Sequence, residues 1–145
     1  MIVICEGIKK YFAWGKNNKG QLGIGSKKNA YVPTPLSLSN IEEEERFKKF
    51  VCGKDYSMGL NQEGVLYVWG DSRYLGTKEV KDNKNKESKE RINNADEPQR
   101  VQQNIKGVKD IFCYGSYAVI RTEEKFYLVG EFPNTDSAKG EEAKN

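Results

Sequence analysis

Residues 11 to 25 read YFAWGKNNKGQLGIG. Tyr11, Phe12, Ala13 and Trp14 form an apolar run that stops at Gly15, as a strand running into a turn does. Lys16 to Gly25 is then polar and rich in glycine, which predicts a shaped loop. Gly15, Gly20, Gly23 and Gly25 permit left-handed or tightly packed backbone that a Cβ resists. Leu22 and Ile24, set between them, are expected to plug the loop onto a core. The segment recurs in worn form at Leu66 to Thr77, LYVWGDSRYLGT, and as a remnant at Phe126 to Phe132, FYLVGEF. A repeat on this scale fixes architecture before any single residue does.

Working outward, Met1 to Ile4 is apolar and Cys5-Glu6-Gly7 turns it, which predicts a β-hairpin with Tyr11 to Trp14. Tyr31 to Leu38, YVPTPLSL, reads as an extended strand carrying two prolines, a residue confined to strand starts and edges. Asn40 to Lys49 is polar and includes Glu42 to Glu45, a solvated connection. Phe47 to Gly53, Tyr56 to Leu60 and Val65 to Trp69 form an antiparallel meander, with Asn61 to Gly64 as a hairpin loop. Adding the proline strand gives a sheet of four.

A second unit follows. Pro98 to Val101 matches the proline strand, Val108 to Cys113 matches Phe47 to Cys52, Tyr117 to Ile120 matches Tyr56 to Leu60, and Phe126 to Val129 matches Leu66 to Trp69. Cys52 and Cys113 fall on equivalent positions, as do Tyr56 and Tyr117, which assigns them to packing. Between the units, Lys78 to Glu97 is nearly free of apolar side chains and is expected to be a mobile insertion. Pro133 to Asn145 has the same character.

The totals narrow the function. Of 145 residues, 37% are apolar and 31% charged, and mean hydropathy is -0.79, so short packed segments alternate with solvated ones. A net charge of +3 is too even to argue for direct nucleic-acid binding. There is no histidine, which removes Ser/His/Asp and Cys/His nucleophile pairs, the commonest general base and the usual metal ligand. Cys5, Cys52 and Cys113 lack CxxC spacing and suit buried thiols in a reducing compartment. The opening is too short for a signal peptide and no apolar run spans a bilayer, so an intracellular location, cytoplasmic or nuclear, is expected without membrane attachment.

Motifs that superficially suggest chemistry fail on spacing. Asp71, Asp82, Glu87 and Glu90 do not have calcium-loop spacing. GKNNKGQLGIG lacks the closing Gly-Lys-Ser/Thr of a phosphate loop and leads to a proline strand, not a helix. Trp14 and Trp69 are expected in the core of their sheets, not in a ligand cage. The expectation is no enzyme activity, no cofactor and no metal.

The run WGKNNKGQLGIG, then VPTPL, then FVCGKDYSMGLNQEGVLYVWG resembles the regulator of chromosome condensation repeat. The ordered features recur over a whole unit and cover residues 1 to 130. The resemblance implies an all-β fold: a β-propeller of four-stranded antiparallel blades around a channel. Departures are visible. Tyr56 and Tyr117 stand where the family usually has His, the second loop has lost Gly-Gln, and Val129 replaces the third Trp.

Propellers close with about four to eight blades, so two and a half blades predict a partial propeller, an open ring unless another chain or further repeats complete it. The expected divisions are 1–15, the last hairpin of an incomplete blade; 16–70, a full blade; 71–130, a full blade with the insertion 78–97; and 131–145, a flexible tail.

A working surface belongs on the loops at the blade ends, where side chains vary on a rigid sheet. Those are Lys16, Asn17, Asn18 and Lys19, then Asp71, Ser72, Arg73 and Tyr74. The reading is a non-catalytic scaffold binding a protein partner. The alternatives are a guanine nucleotide exchange factor for a Ran-type small GTPase with chromatin association, implied by the resemblance, or a truncated fragment without independent activity.

Overall fold

The short apolar runs that end at Gly15, Gly70 and Gly130 are rich in aromatic and β-branched residues, which favour strands, and the chain folds accordingly. The structure, a computed structural model, describes residues 1–5, 10–39, 41, 47–71, 77–81, 87–91, 95–101, 105 and 107–130. Among them every regular element is a strand. These are β1 (Ile2–Cys5), β2 (Lys10–Gly15), β3 (Ala30–Pro35), β4 (Phe47–Cys52), β5 (Tyr56–Asn61), β6 (Leu66–Gly70), β7 (Thr77–Lys81), β8 (Glu87–Arg91), β9 (Ala95–Arg100), β10 (Asp110–Tyr114), β11 (Tyr117–Arg121) and β12 (Phe126–Gly130). The all-β expectation holds.

Three sheets follow one another: β1-β2-β3, then β4-β5-β6-β9, then β10-β11-β12. All their pairings are antiparallel. One apolar cluster runs through all three and includes Tyr11, Phe47, Met58, Trp69, Ile111 and Ile120. The hairpin expected at the start forms, with Ile2 opposite Ala13. Gly15, Gly20, Gly23 and Gly25 all have positive φ, between 70° and 115°.

The proline strand departs from expectation. β3 pairs with β2, the Trp-Gly strand before it, and not with Phe47 to Gly70. Pro98 repeats the pattern: β9 pairs with β6. Each sheet boundary therefore falls one strand later than the divisions at residues 15 and 70. The cause lies in the glycine turn. Gly15 sits at φ 115°, the register slips between Ala13 and Gly15, and the loop brings the chain back beside its own strand.

The two returns share one register. Gly15 is opposite Ala30, Ala13 opposite Thr34 and Phe12 opposite Pro35. Gly70 is opposite Ala95, Val68 opposite Gln99 and Tyr67 opposite Arg100. The connection from Gly70 to Ala95 is longer, and part of it, expected as a mobile insertion, pairs as the hairpin β7-β8. Backbone N–H and C=O groups pair there in register from Thr77 opposite Arg91 to Lys81 opposite Glu87. Ala95 to Glu97 belong to β9 and not to the insertion. Glu42 to Glu45 and residues 131–145 lie outside the described residues.

The first two sheets meet through an aromatic cluster. Tyr11 stands edge-on to Phe47 and Phe50 at 5.5 and 5.3 Å, and its hydroxyl accepts a hydrogen bond from the Phe47 N–H. Trp69 is fully buried and packs where Gly23 of the first sheet's loop has no side chain; a Cβ there would lie 2.6 Å from its Nε1. The second and third sheets meet through β4 and β10. Lys49 donates to Asp110 at 2.6 Å, the Lys54 N–H donates to the Gly115 carbonyl, and the Cys113 thiol donates to the Cys52 carbonyl at 2.9 Å. The expectation of buried thiols fails at these two positions: Cys52 is exposed and Cys113 half-buried, both on strands at the edge of their sheets.

Candidate functional site

The loop of residues 16–29 is held from within by Asn17. Its side chain is fully buried. Nδ2 donates to the Ser26 and Lys28 carbonyls at 2.7 and 2.9 Å, and Oδ1 accepts from the Leu22 N–H at 2.9 Å. The Asn17 N–H in turn donates to Asn29 Oδ1. One amide thereby ties both ends of the loop to its middle, a local role that suits a short polar side chain. Leu22 is buried in a small cluster with Ala13 and Ala30, and Ile24 packs at its edge, so the expected plug forms.

The same loop reaches onto the second sheet. Ser57 Oγ donates to the Gln21 carbonyl at 2.7 Å, and the Gly25 N–H donates to the Asp96 carbonyl. Lys16 Nζ pairs with Asp55 Oδ1 at 3.0 Å, and Gln21 Nε2 approaches the same oxygen at 3.4 Å. Lys19 lies 4.0 Å from Asp71, which is buried. The Asp71 N–H donates to the Asp55 carbonyl at 2.8 Å, so the two acids share one corner under the loop. A cleft of about 160 Å³ opens beside it, lined by Trp14, Lys16, Gln21, Cys52, Lys54 and Tyr56 among others.

The expected site residues therefore divide. Lys16 and Asn18 are exposed and Lys19 is half-exposed, on the surface of one rigid loop. Asn17 and Asp71 are buried and hold the corner together, a correction to their placement on the surface. Their polar atoms face orphan backbone groups and lysines, so burial does not strand them. Ser72, Arg73 and Tyr74 lie outside the described residues. Sequence reasoning missed Asp55 and Gln21, which join the loop to the second sheet. The signal was present: Asp55 precedes a repeat-equivalent tyrosine, and Gln21 sits inside the glycine pattern. Lys27, Lys28 and Lys54 are also exposed and were not singled out.

Among the described residues no group of three or more Cys, Asp or Glu is placed to hold a metal. The Cys113 thiol is pushed above its ordinary value, first by burial and then by the neighbouring Cys52. Asp110 is held below its ordinary value, first by the hydrogen bond from Lys49. No helix of the described residues is long and apolar enough to cross a membrane.

Comparison with known proteins agrees with this geometry. The family described as "Regulator of chromosome condensation (RCC1) repeat" matches residues 10–60. Protein RCC2 homolog of Xenopus laevis is 33% identical over 73 residues, which is 50% of this chain and 13% of that protein. Ultraviolet-B receptor UVR8 of Arabidopsis thaliana is 34% identical over 62 residues, covering 43% of this chain and 13% of the receptor. The chain thus spans a small part of the curated relatives it matches. Among solved structures, human WBSCR16 superposes with a TM-score of 0.66 at 19% identity, over 89% of this chain and 30% of that one. Yeast RCC1 (Prp20), solved bound to Kap60, gives 0.63 at 21% identity, over 83% of this chain and 28% of that one. These two likenesses speak for the fold, a stack of propeller blades whose ring the described sheets do not close. Residues 10–60 match the regulator of chromosome condensation repeat, and the described sheets have the fold of proteins built from it.

Proposed function

We propose that the chain is a non-catalytic scaffold that binds a protein partner through the loop face that carries Lys16, Asn18 and Lys19 and, with them, Lys27, Lys28 and Lys54. The observation that carries this reading is the internal pinning of residues 16–29 by buried Asn17, which presents the surrounding side chains on a preformed surface. Binding to such a surface costs little ordering entropy. Asp55 and Asp71 offset Lys16 and Lys19 from below, while Lys27, Lys28 and Lys54 add exposed positive charge at the same corner. An acidic protein surface is the matching partner.

A charge-reversal comparison tests it. One variant carries Lys27→Glu, Lys28→Glu and Lys54→Glu; a control carries Lys48→Glu, Lys109→Glu and Lys125→Glu. Quantitative capture is expected to lose partners with the first variant and keep them with the control. Identical partner sets for both would sink the reading.

A second reading is nucleotide exchange on a Ran-type GTPase. It is favoured by fold likeness to Prp20p from Saccharomyces cerevisiae, whose solved structure is described together with its binding to Gsp1p and histones. It predicts faster nucleotide release from the GTPase at stoichiometric amounts of this chain. The scaffold reading predicts an unchanged release rate.

A further inference from the structure

Cys52 and Cys113 hold equivalent places in two copies of one unit. Each lies opposite the residue that follows the repeat tyrosine: Cys52 opposite Ser57, and Cys113 opposite Ala118. Their strands, β4 and β10, are edge strands of their sheets and approach each other. Equivalence assigned both cysteines to packing, yet Cys52 is exposed and Cys113 only half-buried. What the fold gives each of them is the other.

The Cys113 thiol donates to the Cys52 carbonyl at 2.9 Å. Covalent spans from that oxygen and that sulfur back to the main chain hold the two Cα atoms at most about 8 Å apart. A disulfide joins Cα atoms about 4.4–6.8 Å apart, a range inside that bound. The sulfurs also sense each other, since Cys52 helps to push the Cys113 thiol up.

The backbones here are held from both sides. Lys49 Nζ meets Asp110 Oδ1 at 2.6 Å before the cysteines, and the Lys54 N–H donates to the Gly115 carbonyl at 2.9 Å after them. The seam is internal to the described residues, with a sheet on each side of it. The movement that brings the sulfurs together is rotation of the two side chains about their Cα–Cβ bonds.

We propose that Cys52 and Cys113 form a dithiol site that hydrogen peroxide converts to a disulfide, stapling the second sheet to the third. The exposed Cys52 sulfur attacks one peroxide oxygen, the O–O bond breaks, and Cys52 becomes a sulfenic acid as one water leaves. The Cys113 sulfur then attacks the Cys52 sulfur. The S–S bond forms, the S–O bond breaks, and the hydroxyl leaves with the Cys113 proton as a second water. Two thiols thereby lose two electrons, and peroxide is reduced to two waters. A small thiol reverses the bridge by exchange, so a reducing compartment holds the pair open between exposures. The bridge spans 61 residues, the long excursion from Gly70 to Ala95 among them, and long loops gain most from closure.

The 145-residue chain carrying Cys5→Ser isolates the pair. After stoichiometric hydrogen peroxide, both thiols are expected to disappear while the protein runs as a single chain on a non-reducing gel. An unreduced tryptic digest is expected to show residues 50–54 joined to residues 110–121. The oxidised chain should unfold at a higher urea concentration, and reduction should restore both thiols and remove that difference. The bridge should form about tenfold or more faster in the folded chain than in denaturing urea. With Cys113→Ser added, Cys52 is expected to stop at the sulfenic acid, trapped by dimedone, with neither bridge nor shift. Circular dichroism matched to wild type certifies each fold, and Cys5→Ala or Cys113→Ala replaces a variant that fails this check. A bridge that forms no faster in the folded chain than in urea overturns the proposal. So do links only between chains, or a sulfinic acid at Cys52 beside an intact Cys113 thiol.

Discussion

Leu66 and Phe126 occupy the same place in two copies of one unit, four residues before the glycine that ends the strand, yet they are 4% and 70% exposed. The second sheet buries every residue of β6, while the third buries none of β12. Both strands are apolar and both sit in the same register. The difference comes from what lies on either side. The second sheet has a neighbour on both faces and a fourth strand, β9, along its edge; the third has a described neighbour on one face only. Burial here is a property of position in the stack and not of the strand's own sequence.

The largest expected effect concerns the equivalent residues Trp69 and Val129. Trp69→Ala empties a fully enclosed site and is expected to cost about 3–5 kcal/mol in urea unfolding. Val129→Ala, at a half-buried position, is expected to cost about 1 kcal/mol. Equal costs would break the contrast between the two sheets.

A middle-sized effect sharpens it from the loop side. Asn17→Ala leaves the Leu22 N–H and two carbonyls without their partner, at about 2 kcal/mol. Amide exchange at Leu22 is expected to speed up, while amides of β11, two sheets away, change no more than global stability requires.

The smallest effect lies at the seam between the two sheets. Asp110 has a folded pKa below its ordinary 3.8, so its contribution is present above that value and is lost as pH falls through the folded one. Both partners are substantially exposed, and less than about 1 kcal/mol is expected. A stability profile against pH should show this acid-side loss in wild type and lack it in Asp110→Asn.

Much of this was readable in the chain. The glycines of the first loop, the opening hairpin, the meander from Phe47 to Trp69 and the equivalence of Cys52 with Cys113 all follow from local pattern. The pairing of the proline strand did not. Residues 31–38 are nearer in sequence to Phe47 than β9 is to anything it pairs with, and adjacency in sequence usually means adjacency in the sheet. The turn at Gly15 overrides it. Asn17 looked like a surface residue because lysine and asparagine surround it; only three-dimensional closure of the loop shows its amide pointing inward. The face on which Phe112 and Leu128 sit was legible from alternation, but its exposure was not, since that depends on what stands beside the sheet.

The shared register of the two returning strands has a bearing on how this repeat tolerates change. Gly15 to Ala30 and Gly70 to Ala95 differ by ten residues in span, yet each delivers its strand to the same place with the same slip. Closing the longer excursion costs only about 0.5 kcal/mol more by chain entropy. Length is nearly free at that point, which makes the excursion after Gly70 a natural port for grafting a reporter or an epitope without disturbing the strands it connects.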